Sequence, residues 1–435
     1  MTPEALLEKV SRGDFRIGII GLGRVGLPLG MAFAHRGIRV VGVDRDERLL
    51  SLVESGTMPF YEEDEHDTLK KVLAAGTLSV TGDYDALQEV DVLFITVATG
   101  LNNELRVDFS QLYSALEEIC PRLRPVQLLI LRSTVSPGTL QKVVKPFLEA
   151  HSDLEVGKDI LLASAPERIS AGRALIELKT LPEIVGGLDA AATDIAAEVL
   201  RTLSPQKKIH KTDPVSAELS KLFTNVYRYV TFAVANEFAL LAEQHGRDAH
   251  SIIRMINEDY PRGNIPLPGP CGGPCLAKDG YLLVEELSFP DFILTAWKLN
   301  EGIPSHMVGR LKEALRAVGK TLDGCKVGVL GMAFKADIDD LRQSPAVRID
   351  ELLQREGART VCHDPFHDTP GLDAAVEDAD AVVLATNHTA FRELRPSQLR
   401  KKTKPDCIFI DCWGQWDEPG LEDGQVVIFG KGSAS

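Results

Sequence analysis

The stretch that decides the fold is Arg16-Ile-Gly-Ile-Ile20, followed by Gly21-Leu-Gly-Arg-Val-Gly26 and, after a helical segment, by Ile38-Arg-Val-Val-Gly-Val-Asp44. The two short apolar runs are typical of buried parallel strands, and the segment between them has the pattern of a helix. A strand, a glycine turn, a helix and a second strand in this order predict the start of a doubly wound α/β sheet.

The glycine turn has the spacing of a dinucleotide-binding turn. Gly21 and Gly23 permit a tight turn and a close approach of the backbone to a pyrophosphate, and Gly26 lets the helix pack on the strand. Asp44 lies 18 residues after Gly26, where a carboxylate accepts hydrogen bonds from an adenosine ribose and repels a 2′-phosphate. The turn therefore predicts NAD rather than NADP; a structural glycine turn without a ligand is the alternative.

The alternation of strands and helices continues, stops and then restarts. Between Pro214 and Gln244 no strand signal occurs and the apolar residues repeat at helical spacing, which predicts a long helix. An α/β pattern resumes at Lys326-Val-Gly-Val-Leu330. The predicted fold is two Rossmann-like doubly wound domains joined by a long central helix and a helical middle domain. The predicted segments are 1–207 (cofactor domain), 208–317 (helical central and dimerisation domain with a cysteine loop) and 318–435 (second Rossmann-like domain).

Composition and charge exclude several classes of protein. The chain has 435 residues, of which 44% are hydrophobic, as in ordinary globular domains. Its net charge of −15 argues against general affinity for nucleic acid or anionic membrane, so an anionic ligand needs local basic groups. No apolar run approaches the ~20 residues that span a bilayer, and the N-terminal residues lack a signal-peptide pattern. We expect a cytoplasmic protein with reduced cysteines.

A second candidate site lies in a loop rich in proline and glycine. Cys275 lies in Gly272-Gly-Pro-Cys-Leu-Ala-Lys-Asp279, where the glycines leave room for a substrate carbon and a neighbouring lysine or a helix N-terminus favours a thiolate. This combination is typical of a covalent nucleophile. A metal-ligand pair with Cys271 and a buried structural cysteine are the alternatives.

Further polar residues lie where ligands of such folds bind. Lys221 and Asn225 are neighbours on one face of the predicted long helix, and such a pair stabilises an oxyanion; a solvated face is the alternative. Ser133-Thr-Val-Ser-Pro-Gly-Thr139 and Ala165-Pro-Glu-Arg-Ile169 each follow a predicted strand, at the edge where doubly wound sheets bind ligands. Helix capping and an ordinary ion pair between Glu167 and Arg168 are the alternatives.

Together these segments resemble the UDP-glucose/GDP-mannose dehydrogenase family. The resemblance runs from about Phe15 to about Trp413 in the family's order. It rests on Gly21–Pro28, Ser133–Thr139, Ala165–Arg168, Glu218–Asn225, Asn236-Glu237, Pro268–Asp279, Gly331–Pro345 and His363-Asp-Pro365. Pro274, Cys271 and Gly100 depart from the family's usual residues, in the substrate loop and around the cofactor.

The resemblance implies a four-electron oxidation of the C6 hydroxymethyl of a nucleotide diphosphate sugar to a carboxylate, with two NAD+ and no metal. Cys275 is then the nucleophile of a thiohemiacetal and a thioester, Lys221 and Asn225 stabilise the oxyanion, and Asp279 orients or activates water. Thr134 and Glu167 match the family's water-binding and base residues. The implied cofactor contacts are Gly21, Gly23, Arg24, Val25, Gly26, Asp44, Thr99, Thr134 and Arg342. The implied substrate contacts are Glu167, Arg168, Lys221, Asn225, Gly272 and Lys335, the last in the nucleotide-sugar-binding segment 318–435.

Substrate and assembly stay open at this point. The Lys278-Asp279 pair favours a glucose or mannose substrate, whereas Pro270 favours an N-acetylated UDP-hexosamine. A two-electron hydroxyacid-type NAD(P) dehydrogenase and a non-catalytic nucleotide-sugar-binding paralogue are the alternative functions. The resemblance also implies a homodimer or a higher homo-oligomer, without nucleic-acid or membrane partners.

Overall fold

The structure is a computed structural model, and it describes residues 2–62, 65–285, 287–418 and 425–432. The chain divides into two compact units. Unit 1 comprises Met1–Thr224 and Tyr281–Glu286, and unit 2 comprises Asn225–Gly280 and Leu287–Ser435. The boundary falls inside the long helix, which runs from Pro214 to Gln244 as the periodicity predicts. The division into three segments stays a prediction.

The strands and helices alternate in unit 1. In chain order they are α1 (Pro3–Ser11), β1 (Arg16–Ile20), α2 (Gly26–His35), β2 (Arg39–Val43), α3 (Glu47–Glu54), α4 (Glu65–Ala74), β3 (Leu78–Thr81), β4 (Val92–Ile95), β5 (Gly100–Leu101), β6 (Val107–Asp108), α5 (Ser110–Ile119), β7 (Gln127–Leu131), α6 (Lys145–His151), β8 (Ile160–Ser164), α7 (Ala174–Thr180), β9 (Glu183–Gly187), α8 (Ala190–Arg201) and β10 (Ile209–Thr212). A π-helical turn, Leu140–Val144, precedes α6.

The sheet of unit 1 has the strand order β10-β9-β8-β7-β4-β1-β2-β3. Six neighbouring strands of this sheet are mutually parallel, namely β8, β7, β4, β1, β2 and β3, and β9 pairs with β8 in the antiparallel direction. Its central strands β4, β7 and β8 are buried along their whole length, as parallel strands covered on both faces must be. Leu6, Phe33 and Leu200 lie in the core on one face, and Leu116 and Leu148 lie in the core on the other.

The order of these strands brings several loops to one edge. Because β1, β4, β7 and β8 are parallel neighbours, the residues that follow them emerge at the same carboxyl edge of the sheet. The glycine turn follows β1, Thr99 lies in the segment after β4, Thr134 follows β7 and Glu167 follows β8.

Unit 2 contains the second α/β sheet, and two helices cross the unit boundary. The sheet has the order β12-β11-β13-β14-β15, all parallel, with core clusters that include Leu311 and Ile349 on one face and Phe391 and Trp416 on the other. The doubly wound α/β prediction is therefore confirmed. The remaining elements are α9 (Pro214–Gln244), α10 (Ala249–Asn257), α11 (Leu276–Val284), α12 (Asp291–Ala317), β11 (Lys326–Leu330), α13 (Pro345–Arg355), β12 (Arg359–His363), α14 (Leu372–Val376), β13 (Ala381–Leu384), α15 (Pro396–Leu399), β14 (Ile408–Asp411) and β15 (Val426–Ile428).

Two negative findings apply to the part of the chain that the structure describes. No helix there is long and apolar enough to cross a membrane. All seven cysteines lie in that part, and none of them forms a disulfide.

Candidate active site

The turn after β1 has the shape that a dinucleotide needs. Gly21 has a φ of +91°, which favours glycine. A Cβ on Gly26 would lie 1.9 Å from the carbonyl oxygen of Gly21, so the turn and α2 pack at backbone contact. At Gly23, by contrast, an added Cβ would meet no described atom within 4 Å. The turn is therefore closed toward the sheet and open above Gly23, which fits a pyrophosphate at the N-terminus of α2.

Asp44 holds this turn from the neighbouring strand. Its Oδ2 accepts the N–H of Leu22 at 2.6 Å and its Oδ1 accepts the N–H of Asp46 at 3.0 Å. Arg24, the next charged residue of the turn, places its guanidinium 4.9 Å from the ring centroid of Phe60. The carboxylate therefore lies directly beside the turn, in the position from which it can accept ribose hydroxyls.

The segment after β7 is tied to both the sheet and the long helix. The Thr99 hydroxyl donates to the carbonyl oxygen of Thr134. Glu218 of α9 accepts the N–H of Gly138 at 2.6 Å and that of Leu140 at 3.0 Å. Burial raises the pKa of Glu218 to about 7, although these N–H groups oppose the rise. Glu218 therefore fixes the Thr134 loop against α9.

Glu167 belongs to a buried ion network. Arg132 is fully buried and contacts Glu167 at 2.6 Å and Glu183 at 2.8 Å, and Lys207 lies 3.0 Å from Glu183. Burial opposes the charge on Arg132, but the two carboxylates raise its pKa overall. The other oxygen of Glu167 accepts the N–H of Arg168 at 2.7 Å. This geometry suits fixing the loop better than removing a proton.

Two basic side chains of unit 1 hold polar atoms for which the described residues provide no partner. The Nε of Arg168 is buried and has no hydrogen-bond partner among the described residues. Lys221 is only 8% exposed, and in the described ranges it forms no ion pair. Buried N–H groups of a cationic side chain without an acceptor are costly, so the Arg168 Nε and the Lys221 ammonium fit the binding of an anionic or oxyanionic ligand.

The proposed nucleophile and its neighbours come together in unit 2. Cys275 directly precedes α11, and its carbonyl oxygen accepts the N–H of Asp279 at 3.0 Å. Asp279 is fully buried; its Oδ2 accepts from Asn225 Nδ2 at 2.6 Å and its Oδ1 from Lys278 Nζ at 3.0 Å. The thiol is exposed and lies at a helix N-terminus, where the partial positive charge favours a thiolate.

The loop before Cys275 is anchored at both ends. The N–H of Gly269 donates to the side chain of buried Asn236, which in turn donates to Asn300 at 3.0 Å. The N–H of Gly273 donates to the carbonyl oxygen of Gln343 at 2.9 Å, and the φ of Gly273 is +98°. The nucleophile is thus carried by a rigid loop, which suits a fixed attack geometry.

The segment after β11 supplies the remaining basic groups. Arg342 donates to both oxygens of buried Asp340, at 2.9 and 2.7 Å. These bonds raise the pKa of Arg342, and the negative charge of the Cys275 thiolate adds to the rise. Arg342, predicted as a cofactor contact, therefore lies within electrostatic reach of Cys275. Lys335 lies seven residues earlier in the same segment.

The predicted site residues form two groups. Gly21, Gly23, Arg24, Val25, Gly26, Asp44, Thr99, Thr134, Glu167, Arg168 and Lys221 belong to unit 1, and Asn225, Gly272, Cys275, Asp279, Lys335 and Arg342 belong to unit 2. Their individual roles stay predictions. Cys271 is half-buried, and burial raises the pKa of its thiol. The described residues contain no group of three or more His, Cys, Asp or Glu that could hold a metal.

Comparison with known proteins identifies the same family along most of the chain. Three models of the UDP-glucose/GDP-mannose dehydrogenase family match: the NAD binding domain at residues 15–204, the central domain at 215–301 and the UDP binding domain at 328–418.

Relatives and solved structures agree with these matches. A UDP-N-acetyl-D-mannosamine dehydrogenase of Pyrococcus horikoshii is 35% identical over 400 residues, which cover 90% of this chain and 94% of the relative. The solved structure of a UDP-D-ManNAc dehydrogenase from Pyrococcus horikoshii has a TM-score of 0.91 at 34% identity and covers 96% of this chain and 100% of that one. A UDP-glucose dehydrogenase structure from Pyrobaculum islandicum has a TM-score of 0.83 at 26% identity, over 97% and 98% of the two chains.

Proposed function

The chain belongs to the UDP-glucose/GDP-mannose dehydrogenase family and is an NAD-dependent nucleotide-sugar dehydrogenase; from this premise we propose that it oxidises C6 of UDP-N-acetyl-D-mannosamine to a carboxylate through a thioester on Cys275. The observation that carries the proposal is the cluster of Cys275, Asp279 and Asn225. It combines an exposed thiol at a helix N-terminus with a buried carboxylate whose Oδ2 lies 2.6 Å from Asn225 Nδ2.

NAD is the cofactor of the family's first domain, and the described turn fits it. Gly21, Gly23 and Gly26 would hold the pyrophosphate, with Arg24 and Val25 in the same turn, and Asp44 would accept the ribose hydroxyls. When bound, NAD+ supplies the two-electron oxidant for each of the two oxidations. Thr99 and Thr134 would line this site, because both lie at the same sheet edge.

The chain's own residues act on C6 of the sugar. The Cys275 thiolate adds to the C6 aldehyde and forms a thiohemiacetal, whose oxyanion Lys221 and the second amide hydrogen of Asn225 stabilise. The positive charge of Arg342 favours the thiolate before attack. After the second oxidation, C6 is joined to Cys275 as a thioester.

Hydrolysis of the thioester needs an activated water. Asp279 is the general base for this step, because its carboxylate lies four residues after Cys275 and is held by Asn225 and Lys278. The resemblance to the family assigns Thr134 to binding a water. We assign Glu167 to positioning Arg168, which, with Lys335 and Gly272, contacts the substrate.

The choice of sugar rests on relatives of full length. The Pyrococcus horikoshii protein of 35% identity acts on UDP-N-acetyl-D-mannosamine by its name, as does an Escherichia coli relative of 30% identity. Pro270 favours the same N-acetylhexosamine type. We therefore place the N-acetylated substrate ahead of UDP-glucose and GDP-mannose.

A panel of nucleotide sugars tests this function. The panel comprises UDP-N-acetylmannosamine, UDP-N-acetylglucosamine, UDP-glucose and GDP-mannose. Initial rates with each sugar give kcat/KM, and incubation to completion with excess NAD+ gives the NADH formed per mole of sugar. We expect the highest kcat/KM with UDP-N-acetylmannosamine and two NADH per sugar. One NADH per sugar would contradict the four-electron oxidation, and a higher kcat/KM with another sugar would contradict the substrate.

We further propose that two copies associate through α9. Large apolar side chains are exposed on its unit 2 portion at the spacing of one helical face, namely Tyr227, Val234, Phe238 and Leu241. Tyr227 is 71% exposed, and a contiguous exposed apolar patch of this kind marks a protein–protein contact surface. Phe238→Asp should shift the mass measured by light scattering from dimer to monomer, with Lys298→Asp as an exposed control; an unchanged mass contradicts this interface.

A further inference from the structure

The second sheet repeats the turn of the first sheet. In unit 1, Gly21 follows β1 and Asp44 follows β2; in unit 2, Gly331 follows β11 and Asp364 follows β12. Asp364 Oδ2 accepts the N–H of Met332 at 2.6 Å, and Oδ1 accepts the N–H of Phe366 at 2.9 Å. Asp44 makes the corresponding two bonds. The two aspartates therefore hold their turns in the same way.

One partner distinguishes the two aspartates. His388 is fully buried, and its Nε2 lies 3.1 Å from Asp364 Oδ2, which also accepts the N–H of Ala333 at 3.2 Å. Burial opposes the charge on Asp364, but the bonds from His388, Met332 and Phe366 outweigh it and lower its pKa to about 2. Asp364 is thus buried and its carboxylate accepts hydrogen bonds from within the protein, whereas Asp44 stays partly exposed.

The bonds of His388 fix its tautomer. Its Nδ1 accepts the N–H of Asp337 at 2.9 Å, so Nδ1 carries no hydrogen and Nε2 donates to Asp364. The imidazole therefore links the end of β12 to the loop after β11. Asp337 has a φ of +59°, and its carboxylate also accepts the N–H of Thr389 at 2.8 Å.

These bonds bracket Lys335 on both sides. Before it, the carbonyl oxygen of Ala333 accepts the Thr386 hydroxyl at 2.6 Å. After it, Asp337 is held by His388 and Thr389. Fixing the backbone two residues to each side restricts the directions in which the lysine side chain can point.

We infer that His388 is a positioning residue: through the N–H of Asp337 and the carboxylate of Asp364, it fixes the Lys335 loop for the diphosphate of the nucleotide sugar. The inference rests on the proposed contact between Lys335 and the substrate. The strand-end aspartate of the second sheet thus supports a lysine that binds a nucleoside diphosphate, instead of binding a ribose as proposed for Asp44.

Two substitutions of His388 separate positioning from general loss of structure. In His388→Asn the side-chain oxygen takes the place of Nδ1 and still accepts the Asp337 N–H. In His388→Gln the amide reaches the place of Nε2, so the bond to Asp364 survives and the bond to Asp337 is lost. Both variants lose the ring contacts with Phe366 and Phe391. The loss of the ring contacts is therefore common to both variants, and a difference between them reports on the hydrogen bonds of His388.

The test is titration calorimetry of the full chain with UDP as the probe and NAD+ as the second ligand. We expect His388→Gln to raise the Kd for UDP about tenfold, as for one lost buried hydrogen bond, and His388→Asn to raise it by a smaller factor. The Kd for NAD+ should stay unchanged in both variants. Lys335→Met should raise the Kd for UDP at least as much as His388→Gln.

The outcomes separate this inference from the proposed function. Suppose that Lys335→Met weakens UDP binding but His388→Gln and His388→Asn have the same Kd for UDP as each other. The positioning role of His388 is then wrong, and the lysine contact stands. If Lys335→Met binds UDP as the wild type does, the lysine contact is wrong, and the inference fails with it.

Discussion

Replacing Asp279 by asparagine tests the proposed hydrolysis step. Both carboxylate oxygens accept from donors, Oδ2 from Asn225 at 2.6 Å and Oδ1 from Lys278 at 3.0 Å. An asparagine has only one oxygen, so its amide nitrogen must face one of these donors, and the general base is lost. One unpaired buried donor costs about 1–3 kcal/mol of stability, whereas a lost general base lowers kcat about a hundred- to ten-thousandfold.

The assay separates the two effects. Asp279 acts after both oxidations, so the variant should release two NADH per active site in a rapid burst and then turn over slowly. Intact-mass spectrometry should detect the sugar nucleotide on the protein during the slow phase. Lys278→Met is the control: it removes the lysine that donates to Asp279 Oδ1 but keeps the Asp279 carboxylate as the general base. This variant should show no burst. A variant Asp279→Asn whose kcat stays within a factor of about ten of wild type would refute the role of Asp279.

Two further predictions concern the cofactor and pH. Asp44→Ala should raise the Kd for NAD+ about ten- to a hundredfold, because charge-assisted bonds to the ribose contribute about 1.5–3 kcal/mol; an unchanged Kd would remove Asp44 from the ribose contact. Folding raises the pKa of Glu218 from 4.5 to about 7, so the folded chain binds this proton more tightly and loses about 3 kcal/mol of stability as pH rises through that window. Denaturant titrations at about pH 5 and pH 8 should show that Glu218→Gln abolishes this loss. The same loss of stability in the variant and in the wild type would contradict the prediction. Asp364 and Asp380, with pKa values of about 2, titrate below the window.

The strands that the sequence predicts well are those buried on both faces. Arg16–Ile20 and Lys326–Leu330 match to the residue, because continuous apolar runs stand out from their surroundings. Leu78–Thr81 and Ile209–Thr212 were not predicted, since these outermost strands are short and only partly buried. The sequence also predicts a frayed tail at Gly430–Ser435. This prediction is wrong for Gly430, whose N–H donates to Glu243 at 2.8 Å, and residues 433–435 lie outside the described residues.

The candidate site also contains some contacts that the sequence predicts and others that it does not. Cys275 and Asp279 are close in sequence, so their helical spacing predicts their proximity. Arg132 and Glu183 are 51 residues apart, and only the pairing of β7 with β8 and of β8 with β9 brings them together. The same holds for Asp364 and His388, which lie 24 residues apart. Contacts of this kind depend on strand order, which no local pattern contains.

The measurement that tests the central claim most directly is acid formation by Cys275→Ser. The variant is incubated with NAD+ and UDP-N-acetylmannosamine, the sugar acid is quantified by mass spectrometry, and the Kd for NAD+ is measured in parallel. If Cys275 carries the thioester, no acid forms while the Kd for NAD+ stays at the wild-type value. Acid formed at the wild-type rate would contradict the covalent route.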